Sequence, residues 1–137
     1  MKLEVDGNCF ACGKNNRCGL KLSFSRSDGK IISEFTPSGQ HQGYKNITHG
    51  GIITTLLDEA MIQAALADGI SVVTAEISVR FKKPLMAGRQ SRIEAEIVKK
   101  SARLIEAKAR LTSFDTGDII AEGQAKLIVA EGKEHRA

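Results

Sequence analysis

The stretch His49-Gly50-Gly51-Ile52-Ile53-Thr54-Thr55-Leu56-Leu57-Asp58-Glu59-Ala60-Met61-Ile62-Gln63-Ala64 decides the fold of this chain. Ile53, Leu56, Leu57, Ala60, Met61 and Ala64 recur at spacings of three and four, the period of a helix with one apolar face. Thr54, Thr55, Asp58, Glu59 and Gln63 gather on the other side. The pattern predicts a single long helix from Gly50 to about Asp68, roughly 25 Å from end to end at about 1.5 Å per residue.

Outward from the helix the period changes to two. Before it, Leu20, Leu22 and Phe24 alternate with Lys21 and Ser23; a Ser27-Asp28-Gly29 turn follows, then Ile31, Ser33 and Phe35 in the same phase. This reads as a hairpin. Pro37 to His49 is a connection in which Pro37 and Gly39 discourage regular structure. After Gly69 come four alternating segments. Val73, Ala75, Ile77, Val79 and Phe81 mark the first, and Ile93, Ala95 and Ile97 the second. Ile105, Ala107, Ala109 and Leu111 mark the third, and Ile119, Ala121, Ala125, Leu127 and Val129 the fourth. The turn candidates Met86-Ala87-Gly88, Lys100-Ser101 and Asp115-Thr116-Gly117 separate them, predicting an antiparallel meander. The inward residues are small, with repeated Ala, which leaves room for an element to lie close. A sheet with one apolar face needs a cover, and the helix is the only candidate. The expected fold is α+β, a curved antiparallel sheet of five to six strands wrapped around one central helix.

The chain has 137 residues, 42% apolar and 26% charged, values that exclude a disordered chain and predict one domain over 1–137. Residues 1–19 form a Cys-containing N-terminal loop, and 132–137 are charged and expected to fray. No segment approaches the roughly 18 apolar residues of a membrane span. The opening Met-Lys-Leu-Glu-Val-Asp-Gly-Asn lacks the apolar core of a secretory signal, so a cytoplasmic protein without a membrane partner is expected. The net charge of +4 is too diffuse to argue for nucleic acid.

A His-Gly-Gly opening a buried helix has a chemical reading. Two residues without side chains let a ligand approach unpaired backbone N–H groups at the positive end of the helix dipole, donors suited to a developing oxyanion. A plain loop-to-helix junction, where Gly permits a tight bend, is the competing explanation. Asp58 adds weight to the first, because a carboxylate among Leu56, Leu57, Ala60 and Met61 costs energy unless paired or used. Period alone leaves open whether Asp58 or Glu59 points inward. Gly50 and Asp58 are eight residues apart, about 12 Å along the axis, too far to act on one carbonyl carbon. They cooperate only if a second copy of the helix runs nearby in the opposite sense, as in a two-fold dimer.

The series from His49 to Ala60, the later Val79-Arg80-Phe81-Lys82-Lys83-Pro84-Leu85 with Gly88, and Asp115-Thr116-Gly117-Asp118-Ile119-Ile120-Ala121-Glu122-Gly123 resemble the hotdog-fold acyl-CoA thioesterases, in the phenylacetic-acid-degradation branch. The match runs over about residues 20 to 130 in the same element order. The resemblance implies a hotdog fold, a homodimer with a continuous sheet, and often a dimer of dimers. It also implies that the Gly50 amide polarises a thioester carbonyl while Asp58 of the partner subunit acts as base or nucleophile. His49 would shape the loop or assist thioester binding; a structural hydrogen-bonding role explains a His before a helix equally well. Two departures stand out. Gly43 occupies a position where the family often carries Asn or Gln, and Ile62 one where some members carry a hydroxyl.

The expected activity is hydrolysis of a medium-chain or aromatic acyl-CoA, without cofactor or metal. The Gly50 and Gly51 amides serve as oxyanion donors and Asp58 and His49 complete the catalytic set, while Asn46, Glu59, Lys82, Lys83 and Arg89 bind substrate. The alternative is a non-catalytic acyl-CoA binding or sensing protein on the same fold. Arg80, Lys82, Lys83, Arg89 and Arg92 fall within 13 residues that contain no acid. They suit coenzyme A phosphates, and a solvated strand edge accounts for them as well. Only six aromatic residues exist and none interleaves with this run, which argues against nucleic acid. Cys9-Phe10-Ala11-Cys12, with Cys18 beyond, has zinc-like spacing, but one C-x2-C pair supplies two ligands where a structural site takes four, with His41 and His49 the candidates to add. Buried reduced thiols packing the loop are preferred to a zinc knuckle or a redox pair.

Overall fold

A computed structural model describes residues 2–130; the tail expected to fray lies outside the described residues. The elements are β1 (Ser25–Ser27), β2 (Lys30–Phe35), a 3-10 turn (Gly39–His41), α1 (Gly50–Ala67), β3 (Val72–Phe81), β4 (Ser91–Lys100), β5 (Leu104–Ser113) and β6 (Ile119–Val129). All six strands join one antiparallel sheet in the order β1-β2-β4-β5-β6-β3, wrapped around α1. This is the hotdog architecture.

The helix forms where the spacing predicts, and its buried residues are Ile53, Leu56, Leu57, Glu59, Ala60, Met61, Ala64 and Ala65. Leu56, Leu57 and Met61 meet Ile93, Ile105, Leu111 and Leu127 from the sheet, all fully buried. Each such side chain contributes about 1.5–3 kcal/mol by leaving water. Small sheet residues make the close approach possible. A Cβ placed on Gly123 would lie 3.3 Å from Leu57 Cδ1, so the helix rests almost on the β6 backbone there.

The structure corrects the expected topology in two places. Only β4, β5 and β6 form a meander; β3 leaves its sequence neighbour β4 and pairs with β6, which makes it the sheet's far edge. The connection from Phe81 to Ser91 is therefore a crossing and not a hairpin turn. The first hairpin strand is also shorter and later than the alternation suggests. Lys21 adopts φ 53°, and the amides of Leu20 and Leu22 donate to the carbonyls of Phe10 and Ala11. That segment thus pairs with the N-terminal loop, and only Ser25–Ser27 pairs with β2. Leu22 and Ala11 are buried against the core, so the apolar alternation there reports burial without strand geometry.

Candidate active site

His49 is the N-cap of α1, with φ −61° and ψ 136°, and its Nδ1 accepts the Gly51 N–H at 2.8 Å. The amides of Ile52 and Ile53 both donate to the His49 carbonyl, at 2.9 and 3.2 Å. One first-turn donor is left over. The Gly50 N–H has no acceptor among the described residues, and first-turn amides have no partner within their own helix. The structure thus separates the two glycines that the sequence treats as a pair. The Gly51 amide is consumed by the cap, and only that of Gly50 is available to a ligand.

Gly50 opens onto a cavity of about 790 Å³ lined by Gly43, Tyr44, Ile47, Thr48, His49, Gly50, Ile53, Phe81, Lys82, Lys83 and Pro84. The Phe81 ring lies 3.5 Å from where a Gly50 Cβ would stand. The walls are largely apolar and the two lysines stand at the rim. Lys82 Nζ is 3.1 Å from Glu122 and Lys83 Nζ 3.1 Å from Asp118, so each rim charge already has a surface partner. Those lysines hold the Glu122 and Asp118 carboxyls below their usual pKa range. Asn46 belongs to the loop behind the pocket at φ 64°; its amide donates to Gln42 Oε1 and its carbonyl accepts from Ala87, without lining the cavity. Arg89 lies further off, 4.0 Å from Asp115.

Asp58 is half-buried in mid-helix, and Thr74 Oγ1 of β3 donates to its Oδ1 at 2.6 Å. Strict alternation from Val73 to Phe81 sends Thr74 to the outer face. A bulge between Thr74 and Glu76 shifts the phase, so that Val72 and Thr74 face inward at one end and Ile77 and Val79 at the other. Thr74 is the site residue that sequence reasoning missed. The signal was the adjacent pair Val72-Val73, two apolar residues where alternation allows one.

Glu59 is not brought to this pocket. It is 8% exposed, and its Oε2 accepts at 2.9 Å from Nε2 of Gln63, a member of the same polar face, so a flank expected to be solvated is covered here. Consecutive helical residues turn by about 100°, so Asp58 and Glu59 face different neighbours. The two histidines considered as metal ligands are occupied elsewhere, His49 in the cap and His41 Nδ1 accepting from the Ser38 amide at 2.9 Å. The cysteines are unpaired, and Cys9 and Cys18 are exposed, which corrects the expectation of buried thiols; only Cys12 is part-buried. No helix of the described residues is long and apolar enough to cross a membrane.

A sheet curled around one helix, with a free amide at the helix start and a carboxylate in mid-helix, is the arrangement of a hotdog protein. The sequence model of the thioesterase superfamily matches residues 45–120, and the chain belongs to that family. Mouse acyl-coenzyme A thioesterase 13 is 29% identical over 102 residues, 73% of this chain and 73% of that protein. Among solved structures, a thioesterase protein from Streptococcus pneumoniae with coenzyme A superposes with a TM-score of 0.76 at 18% identity, covering 85% of this chain and 88% of that one. The Escherichia coli PaaI protein from the phenylacetic acid degradation operon gives 0.74 at 19% identity, covering 80% and 83%.

Proposed function

We propose that this chain is an acyl-CoA thioesterase acting on medium-chain or aromatic acyl groups, with each active site shared between two copies. The observation that carries this reading is the arrangement along edge strand β3. Its Thr74 end holds Asp58, and its Phe81 end packs beside Gly50. If two β3 edges pair antiparallel about a two-fold axis near Ser78, the Phe81 end of one copy meets the Thr74 end of the other. The Gly50 amide then faces Asp58 of the second copy, which bridges the 12 Å or so that separates them within one chain. The same register sets Glu76 across from Arg80 of the second copy, a favourable cross-strand pair. A ten-residue edge with a free ladder also calls for a partner.

In this site the Gly50 amide, aided by the helix dipole, stabilises the oxyanion that forms at the thioester oxygen. Asp58, oriented by Thr74, takes the proton of the attacking water, or attacks the carbonyl carbon itself to form an anhydride that water then hydrolyses to the free acid; the thiolate of coenzyme A leaves and is protonated. His49 and Gly51 form the cap that leaves the Gly50 donor exposed. Tyr44, Ile47, Ile53 and Phe81 offer apolar and aromatic surface to the acyl group. Coenzyme A phosphates displace Asp118 and Glu122 from Lys83 and Lys82, exchanging surface pairs worth about 0–1 kcal/mol for charge-assisted bonds to phosphate. Arg89 meets the far end of the nucleotide, and the Asn46 loop backs the thioester.

The test is complementation between two inactive chains. His49 already has the extended backbone that precedes proline, and Gly50 is the first helical residue, so Gly50→Pro removes the amide donor at a position that tolerates proline. Gly50→Pro and Asp58→Asn are each expected to lose most thiol release from a panel of acyl-CoAs. After unfolding together and refolding, the mixture recovers about a quarter of native activity, because half the pairs are mixed and each mixed pair holds one intact site of two. A mixture no more active than its components overturns the shared site. A native protein that binds acyl-CoA and hydrolyses none of the panel overturns the enzyme reading.

A further inference from the structure

On the side of α1 away from Asp58, the N-terminal loop places two thiols against a buried acid. The Sγ atoms of Cys9 and Cys12 and a carboxylate oxygen of Glu59 all lie within 4.8 Å of one another. We propose that Cys9, Cys12 and Glu59 form a zinc site that ties the N-terminal loop to the central helix, with water as the fourth ligand.

Three independent features point to a cation there. First, Glu59 is 8% exposed in mid-helix, and among the described residues it has no basic partner; its polar neighbours are the neutral Gln63 amide and the thiols of Cys9 and Cys12. A buried carboxylate without a countercharge is costly, and a divalent ion supplies that charge. Second, the loop has the shape of a metal knuckle. The Cys12 amide approaches Cys9 Sγ at 3.5 Å and the Gly13 amide donates to the Cys9 carbonyl at 2.8 Å. The chain passes so close at Gly13 that a Cβ there would stand 2.4 Å from the Cys9 nitrogen, so only glycine fits. Further bonds wind the loop on itself, from the Asn15 amide to the Gly7 carbonyl and from the Leu20 amide to that of Phe10. Third, the second sphere is in place: Gln63 Nε2 donates to Glu59 Oε2 and lies 3.9 Å from Cys12 Sγ. That leaves Glu59 Oε1 for the ion, and ligating carboxylates are characteristically oriented by such a bond.

Two sulfurs and one oxygen suit zinc over magnesium or calcium, which take oxygen alone. Ligand atoms around a tetrahedral zinc stand about 3.5–3.8 Å apart, so atoms that lie within 4.8 Å of one another close in by at most about 1.3 Å on binding. Burial, followed by hydrogen bonding to Glu59, pushes the Cys12 thiol above its usual pKa when no ion is present. Binding therefore releases thiol protons to solvent as the two thiolates form.

The experiment is metal loading of the full reduced chain, read by stoichiometry after gel filtration, by the thiolate-to-metal charge-transfer absorption of the cobalt(II) form, and by thermal unfolding with and without zinc. The expected result is one zinc per chain, a cobalt charge-transfer band, and a higher Tm when loaded. Cys9→Ser, at an exposed position that leaves the core intact, removes one of the two thiolates and at least halves the band; Glu59→Gln, an isostere, weakens zinc binding at least about 10-fold; Cys18→Ser changes neither. Sub-stoichiometric zinc on the loaded native chain overturns the proposal and leaves a thiol–carboxylate hydrogen bond. Binding that survives Glu59→Gln undiminished, or that falls with Cys18→Ser as far as with Cys9→Ser, overturns this ligand set.

Discussion

Asp58 and Glu59 are neighbours in sequence with the same charge, on the same turn of the same helix, and their surroundings differ in every respect that matters chemically. Asp58 faces the edge strand, is half-buried, and accepts one short bond from Thr74. Glu59 faces the N-terminal loop, is buried, and accepts one bond from Gln63 in the company of two thiols. About 100° of helical rotation separates a carboxylate open to a ligand or second copy from one closed in by its own chain. Burial, and not the acid itself, sorts them: the half-exposed group keeps water within reach, and the enclosed one depends on whatever the fold places beside it.

The sharpest break of this comparison is Asp58→Asn. In the shared-site reading it lowers kcat/KM for acyl-CoA hydrolysis at least ~100-fold, the range of a lost general base, while far-UV circular dichroism and Tm stay near native. A native-like rate in that variant removes Asp58 from the chemistry.

Two parallel deletions sharpen the contrast. Gln63→Leu strips the amide donor from the enclosed carboxylate of the metal-free protein, leaves it only the weak thiol donors beside it, and lowers stability by about 1–3 kcal/mol in urea titration. Thr74→Val removes the equivalent donor from Asp58. Water replaces it there, so stability falls by under about 1 kcal/mol, while kcat drops about tenfold because the carboxylate loses its orientation; Thr74→Ser restores the rate. Equal stability losses in the two variants would erase the distinction drawn from burial.

The smallest effect concerns a third acid, at the helix end. Asp68 accepts from Lys100 Nζ at 3.1 Å and Arg26 at 3.0 Å, tying the end of α1 to β4 and β1. The Lys100 bond, followed by that of Arg26, outweighs burial and holds its carboxyl below the usual 3.8. A lowered folded-state pKa means stability that is present above 3.8 and lost as pH falls through the folded value. Asp68→Asn therefore costs about 0.2–1 kcal/mol at pH 7, a figure kept small by solvent screening, and the difference from native fades below about pH 4. A difference that persists unchanged at pH 2 would show that the aspartate contributes through packing instead.

Much of the fold was legible in the alternation of apolar residues. The helix was bounded to within a residue or so because its apolar stripe and His-Gly-Gly start are local signals, and β4, β5 and β6 follow their alternating runs with turns at the expected places. What local pattern could not show was which strand pairs with which. Val72–Phe81 alternates as well beside β6 as it would beside β4, and only the crossing Lys82–Gln90 connection sends it to the edge. Leu20 to Phe24 alternates for a different reason, because its backbone bonds to the N-terminal loop.

The same division runs through the candidate site. The residue types, the eight-residue separation of Gly50 from Asp58, and hence the need for a second helix, were properties of the sequence, because helix rise is constant. Three assignments belong to the tertiary structure. Gly51 loses its amide to the His49 ring, Thr74 reaches Asp58 through a bulge, and Glu59 is covered by the loop that carries Cys9 and Cys12. Each depends on contacts between residues from 2 to 50 positions apart, decided by where the loop and the edge strand settle against the helix. Periodicity describes one element at a time, and the partner that completes a cap, a bulge or a metal site comes from another.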